Sequence, residues 1–242
     1  MILRQYIGNG ITSLLAVIFL TIALLTFGYA QYFDRLFIIF LLSLIFFNIH
    51  NANIISIALI FLLERFLEEI IFFSSSYLFI KPLIYLLSLW LIKLFWYDKL
   101  IRRIILPTVL MCIIGEIYWY LIDYNAPRMH SYIAMLMLNM VTRHLIFLRI
   151  PIFKKFQTLS FIKNIVRLPL KHTSVDIQLY SLAMVNILVV VIMIVEYLLR
   201  HLTSLEPLFI YNFYSETVHV LSATTLFLIV NFIIKSNYKF AA

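Results

Sequence analysis

Apolar runs of about 20 residues recur from Ile11 almost to the end of the chain, more than a soluble core can absorb. Each run is long enough to cross the ~30 Å hydrocarbon core of a bilayer as an α-helix. In lipid, only a helix or a closed barrel satisfies every backbone N–H and C=O. Composition agrees: 64% of the 242 residues are hydrophobic, 12% are charged, and the mean hydropathy is +1.03. The chain is therefore expected to be an all-α, polytopic helical membrane protein, one integral membrane domain over 1–242. Eight spans of about 20 residues use about 160 residues and leave only short connections, too little for a soluble catalytic domain. Six spans is the alternative count.

The expected spans are 11–30, 31–47, 54–73, 77–97, 104–122, 131–150, 177–199 and 212–234. The first follows Arg4 and can also be read as a signal peptide ending at Gly28-Tyr29-Ala30. Segment 151–175 sets Lys154, Lys155, Lys163, Arg167 and Lys171 among Phe153, Phe156, Phe161 and Ile162, the pattern of a basic amphipathic segment on the cytoplasmic surface. With both termini inside, that side holds Arg4, Lys99, Arg102, Arg103, these five cations, Lys235 and Lys239. Only Arg35, Lys81, Arg128 and Arg200 stand outside, the asymmetry of the positive-inside rule. We read the chain as an integral protein of a bacterial inner (cytoplasmic) membrane. Its formal charge of +8 then reflects topology and anionic headgroups, and nucleic acid is not an expected partner. The expected partners are the lipid bilayer and either another protein or a second copy of the chain.

One stretch breaks the apolar pattern. Leu63-Glu64-Arg65-Phe66-Leu67-Glu68-Glu69-Ile70 places four charges between two apolar runs. On a helix, Glu64, Glu68, Arg65 and Glu69 fall at roughly 0°, 40°, 100° and 140°, one face, with Phe66 and Leu67 on the other side. At mid-bilayer each ionised group costs at least about 2.5 kcal/mol, so this face must turn inward, pair, or titrate to neutral. The alternative makes the charges an interfacial turn between two long helices. That would bury Asn48, His50, Asn51 and Asn53 in mid-membrane, and Asn-rich stretches favour turns. A loop at 49–53 and a charged face inside the third span are therefore expected.

Counting 1.5 Å per residue from the cytoplasmic ends places Glu64 at about 15 Å, Glu116 at about 18 Å, Glu68 at about 21 Å, and Glu69 and His219 at about 22 Å. Arg143 comes at about 10 Å and Lys93 at about 6 Å. Glu64, Glu68 and Glu69 against Arg65, Lys93 and Arg143 sum to zero, so a closed ion-pair network is one outcome. Glu216-x-x-His219 sets a carboxylate and an imidazole on one helix face, half of a carboxylate-bridged metal motif, with Glu116 and Glu68 as further candidate ligands. His50, His130, His172 and His201 fall in expected loops and read as solvated. Cys112, the single cysteine, excludes an intrachain disulfide and reads as a small apolar residue. Tyr118-Trp119-Tyr120 and Phe95-Trp96-Tyr97 sit at span ends and read as an interfacial belt. HExxH and repeated histidine boxes are missing, so no cofactor is specified.

The leading functional expectation is a buried carboxylate-rich polar face, built from Glu64, Glu68, Glu69, Glu116 and Arg143, that binds or conducts a proton, a cation or a small cationic ligand. One alternative is an intramembrane enzyme on a lipid or lipid-linked substrate, with Glu216 and His219 as acid, base or metal ligands. The other is a non-catalytic subunit or sensor that docks a partner through 151–175.

Overall fold

A computed structural model describes residues 2–26, 29–74, 79–124, 129–157, 170–203, 205 and 209–240, with the side chains of 2–9, 30–31, 156–157 and 236–240 outside the description. Among the described residues all regular structure is helical and no strand occurs. The helices are α1 (Ile2–Leu25), α2 (Ala30–Phe47), α3 (Ala52–Ser74), α4 (Ile80–Leu94), α5 (Leu106–Leu121), α6 (Met129–Phe147), α7 (Arg149–Gln157), α8 (Ser174–Leu202), α9 (Phe209–Asn212) and α10 (Tyr214–Phe240). A π-helical turn, Ile101–Ile105, leads into α5. Three helical stretches are long and apolar enough to cross a membrane: Ile101–Leu121, Ser174–Leu202 and Tyr214–Lys235. A fourth is available if α6 and α7, bent by 72° about Leu148, form one broken span.

The loop between α2 and α3 falls where the asparagines predict it. Residues 48–50 turn, and α3 then runs unbroken through all four charges, so the reading of a charged interfacial turn is excluded. Leu63, Phe66, Ile70 and Phe73 form an exposed stripe on α3, while Glu64, Arg65 and Glu68 are half-buried. The apolar side chains take the outward face and most of the charge turns in, as the cost of ionised groups in hydrocarbon requires.

The π turn has a local cause. Pro107 offers no N–H, and its ring crowds the carbonyl four residues earlier, so the ladder widens by one residue immediately before it. α4 has 15 residues, about 22 Å at 1.5 Å per residue, short of a full hydrocarbon core. The 75–78 turn, the 125–128 link, residues 206–208 and most of the basic segment (158–169) lie outside the described residues. So do the side chains of Arg4, Arg128, Lys163, Arg167 and Lys239, which entered the orientation count.

The helices gather into two groups. In the first (Met1–Arg65, Thr142–Ala183, Ser215–Ala242), stripes at helical spacing make the core: Phe33, Phe37 and Leu41 from α2; Ile57, Ala58 and Phe61 from α3; Val175, Leu179 and Ala183 from α8; Ala223, Leu226 and Ile229 from α10. In the second (Phe66–Val141, Met184–Tyr214), Ile105, Val109 and Cys112 pack with Ile133, Leu136 and Met140 and with Ile187, Val190 and Ile194. Cys112 is fully buried, as its apolar reading predicts.

Three expectations, one aromatic and two histidine, need correction. Trp119 is 1% exposed and belongs to the second core, because the helix turns it inward between Tyr118 and Tyr120, which alone of the three are exposed. His130, expected in a solvated loop, is buried in the first turn of α6. His201, likewise expected in a loop, closes the last turn of α8, hydrogen-bonded to Tyr124 and packed beside the rings of Trp119 and Tyr197.

Candidate functional site

In the first group, four helices place polar side chains in one layer. Asp34 lies one turn into α2, Arg65 in the second half of α3, and His219 and Ser222 in the first turns of α10; Thr26 follows the last turn of α1. Arg65 Nη1 reaches Asp34 Oδ1 at 3.3 Å, its Nη2 donates to Ser222 Oγ at 2.6 Å, and the guanidinium lies 4.7 Å from the centroid of the Phe37 ring. His219 Nε2 lies 2.8 Å from Thr26 Oγ1, and the imidazole stacks on Phe33 with centroids 3.8 Å apart. The Thr26 hydroxyl gives its one proton to the Ile22 carbonyl at 2.7 Å, so its oxygen accepts from Nε2 of His219. The network thus assigns the hydrogen to Nε2 and keeps Nδ1 as the basic nitrogen.

Arg65 therefore pairs with Asp34 on α2, a carboxylate outside the set of charges that the sequence balances against one another. Arg143, 5% exposed, donates to the Tyr180 hydroxyl and lies 4.5 Å over that ring; Lys93 is exposed. Of the other predicted residues, Glu64 and Glu68 are half-buried and Glu69 is exposed on α3. Glu116, in the second group, lies 3.7 Å from Lys81 and accepts from Tyr85 at 3.5 Å, so its charge is balanced locally. Glu216 takes a hydrogen bond from the neighbouring Ser215. Among the described residues no three His, Cys, Asp or Glu side chains converge to hold a metal ion, so the Glu216–His219 pair gains no further ligand there.

A second polar cluster was not singled out by sequence reasoning. Arg149, with no exposed surface, donates through Nη2 to Asp176 Oδ2 at 2.7 Å and to the Lys171 carbonyl at 2.9 Å. Its Nη1 donates to Ser56 Oγ at 2.8 Å and reaches Asn53 Oδ1 at 3.3 Å. Asp176 Oδ2 also accepts from the Thr173 backbone N–H and hydroxyl, the reach-back half of a capping box at the start of α8. The signal was present as Thr173-x-x-Asp176 ahead of an apolar run. Glu196, 7% exposed, accepts the backbone N–H groups of Ile210 and Tyr211 and so anchors α9, a structural role.

Apolar helices of spanning length, with ionisable groups turned inward and paired, define a helical membrane protein with a part-buried polar layer. No family model matches the chain, and neither does any curated protein or solved structure.

Proposed function

We propose that the chain is an eight-span protein of a bacterial inner membrane, both termini cytoplasmic, whose part-buried polar layer binds or conducts a proton. The observation that carries this is the Asp34–Arg65–His219 layer, in which a carboxylate and an imidazole lie on helices that also hold a fixed cation. Among a proton, a metal cation and a small cationic ligand, the guanidinium favours the proton. Its charge cannot be removed by titration, and it repels a second cation that keeps its charge. A proton instead can pass between Nδ1 of His219 and the Asp34 carboxylate, releasing Arg65 when it sits on Asp34. Half-buried Glu64 and Glu68 extend the same helix as further proton-holding groups.

The test is proton uptake into vesicles containing the purified protein and a trapped pH-sensitive dye, driven by an imposed membrane potential. Uptake above that of empty vesicles is expected, falling to the empty-vesicle level in His219→Gln and Asp34→Asn. Wild-type uptake in both variants, or none in the native protein, would sink the reading.

A further inference from the structure

The turn between α4 and α5 gathers four cations, Lys93, Lys99, Arg102 and Arg103, around one acid, Asp98. All four cations are exposed, and among the described residues none of them pairs with a carboxylate. Asp98 is engaged as a helix cap: its Oδ1 accepts the Leu100 N–H at 2.9 Å and its carbonyl accepts the Arg102 N–H at 3.3 Å. Helix begins at Lys99 and runs through the π turn into α5. Lys99, Arg102 and Arg103 stand three and four residues apart, so they share its outer face, while Leu100, Ile101 and Ile105 are buried. This is the positive end of the helix, whose dipole adds to their field instead of offsetting it. α4 packs against the π turn and brings Lys93, in its own last turn, to the same end of the pair.

The neighbouring side chains identify the anion that such a patch meets. Trp96 and Tyr97, within the turn, are 50% and 62% exposed. Amphipathic rings settle at the headgroup level of a bilayer, which sets these cations against lipid phosphates and not against a soluble polyanion. From the turn, Leu94, Trp90 and Leu87 run back along α4 as an exposed apolar stripe on which acyl chains can lie. Four cations are more than one phosphate can occupy. Where two phosphates are linked, holding the first on the Arg102–Arg103 guanidinium groups makes the second an intramolecular partner for the lysines, at high effective concentration.

We propose that the α4–α5 turn binds a lipid with two linked phosphodiesters, the chemistry of cardiolipin. Its phosphates lie against Lys93, Lys99, Arg102 and Arg103, and its chains against Leu87, Trp90 and Leu94. The site belongs to the second group of helices and stands or falls without the proton layer.

The experiment is native mass spectrometry of the full chain in mild detergent, titrated with cardiolipin and with phosphatidylglycerol at equal phosphate concentration. Cardiolipin is expected to be held about tenfold more tightly per phosphate. Arg102→Gln with Arg103→Gln, both at exposed positions, is expected to bring the two lipids level. Lys154→Gln with Lys171→Gln removes as much charge from exposed positions elsewhere and is expected to leave the preference intact. Equal retention by the native protein would mean that only the charge of the leaflet is read, which overturns the proposal. So would a preference that survives the arginine changes, since the extra acyl chains or another site would then account for it, or one that the lysine changes abolish as well.

Discussion

Arg149 has no exposed surface, yet it carries a full charge whose counter-ion, Asp176, is equally enclosed. Removing one partner of such a pair leaves the other buried without compensation, whereas removing both removes the desolvation cost as well. Arg149→Met is therefore expected to destabilise the protein by about 3–5 kcal/mol, and Arg149→Met with Asp176→Leu to recover most of that. The double variant should still fall short by about 1 kcal/mol, because the capping box goes with Asp176. Denaturant titration of the detergent-solubilised protein reads both, and a double variant no more stable than the single would show that the two residues do not act as a unit. The capping box was legible in the sequence, since it depends on residues three apart. The partner of Asp176 was not, because Arg149 stands 27 residues away and in sequence reads as the polar end of an apolar run. The same limit governs Arg65, whose inward turn follows from the cost of charge in lipid, while its partner on α2 depends on which helices are neighbours.

Elements were more legible than their partners. Periodicity and the asparagine-rich turn place α2 and α3, and Glu64, Arg65 and Glu68 follow the face that the helical angle assigns them, with Phe66 outward; Glu69 departs from it and is exposed, and Leu67, expected outward, is half-buried. Trp119 was misread because position at a span end says nothing of which way a helix faces. Gly115 on α5 supplies that orientation: a Cβ there would lie 3.2 Å from Leu198 Cδ2 on α8 and 3.8 Å from the Trp119 ring. The contact sets how closely α5 and α8 pack. Alanine adds about 1 kcal/mol of helix propensity and meets only the free end of a leucine, so Gly115→Ala is expected to change stability little. Gly115→Ile pushes branched carbon into the same gap and is expected to cost about 1–3 kcal/mol. An isoleucine variant that unfolds at the native denaturant concentration would mean that the two helices do not meet at this residue.

For the whole molecule, the number of spans and their direction depend on facts that no single helix holds. The first group of helices nevertheless makes a topological statement of its own. Arg149 joins the start of α3 through Asn53 and Ser56 to the start of α8 through Lys171 and Asp176, and Asn53 Oδ1 accepts the Lys171 N–H as well. Those two helix starts must therefore share one side of the membrane. Tyr29, before α2, is separated from that side by the 18 residues of the helix, about 27 Å and close to a full hydrocarbon thickness. On the proposed topology, the cations of the segment before α8, Lys163, Arg167 and Lys171, put that side in the cytoplasm. Single cysteines at exposed His50, His172 and Tyr29, in a Cys112→Ala background, turn this into a labelling experiment. With a membrane-impermeant maleimide, Tyr29→Cys is expected to react in intact bacterial cells, and His50→Cys and His172→Cys only after the membrane is opened. Reaction of His50→Cys and His172→Cys from opposite sides would break the Arg149 junction itself. Reaction of both in intact cells, with Tyr29→Cys protected, would keep the junction and reverse the orientation, putting the proton layer nearer the cytoplasm.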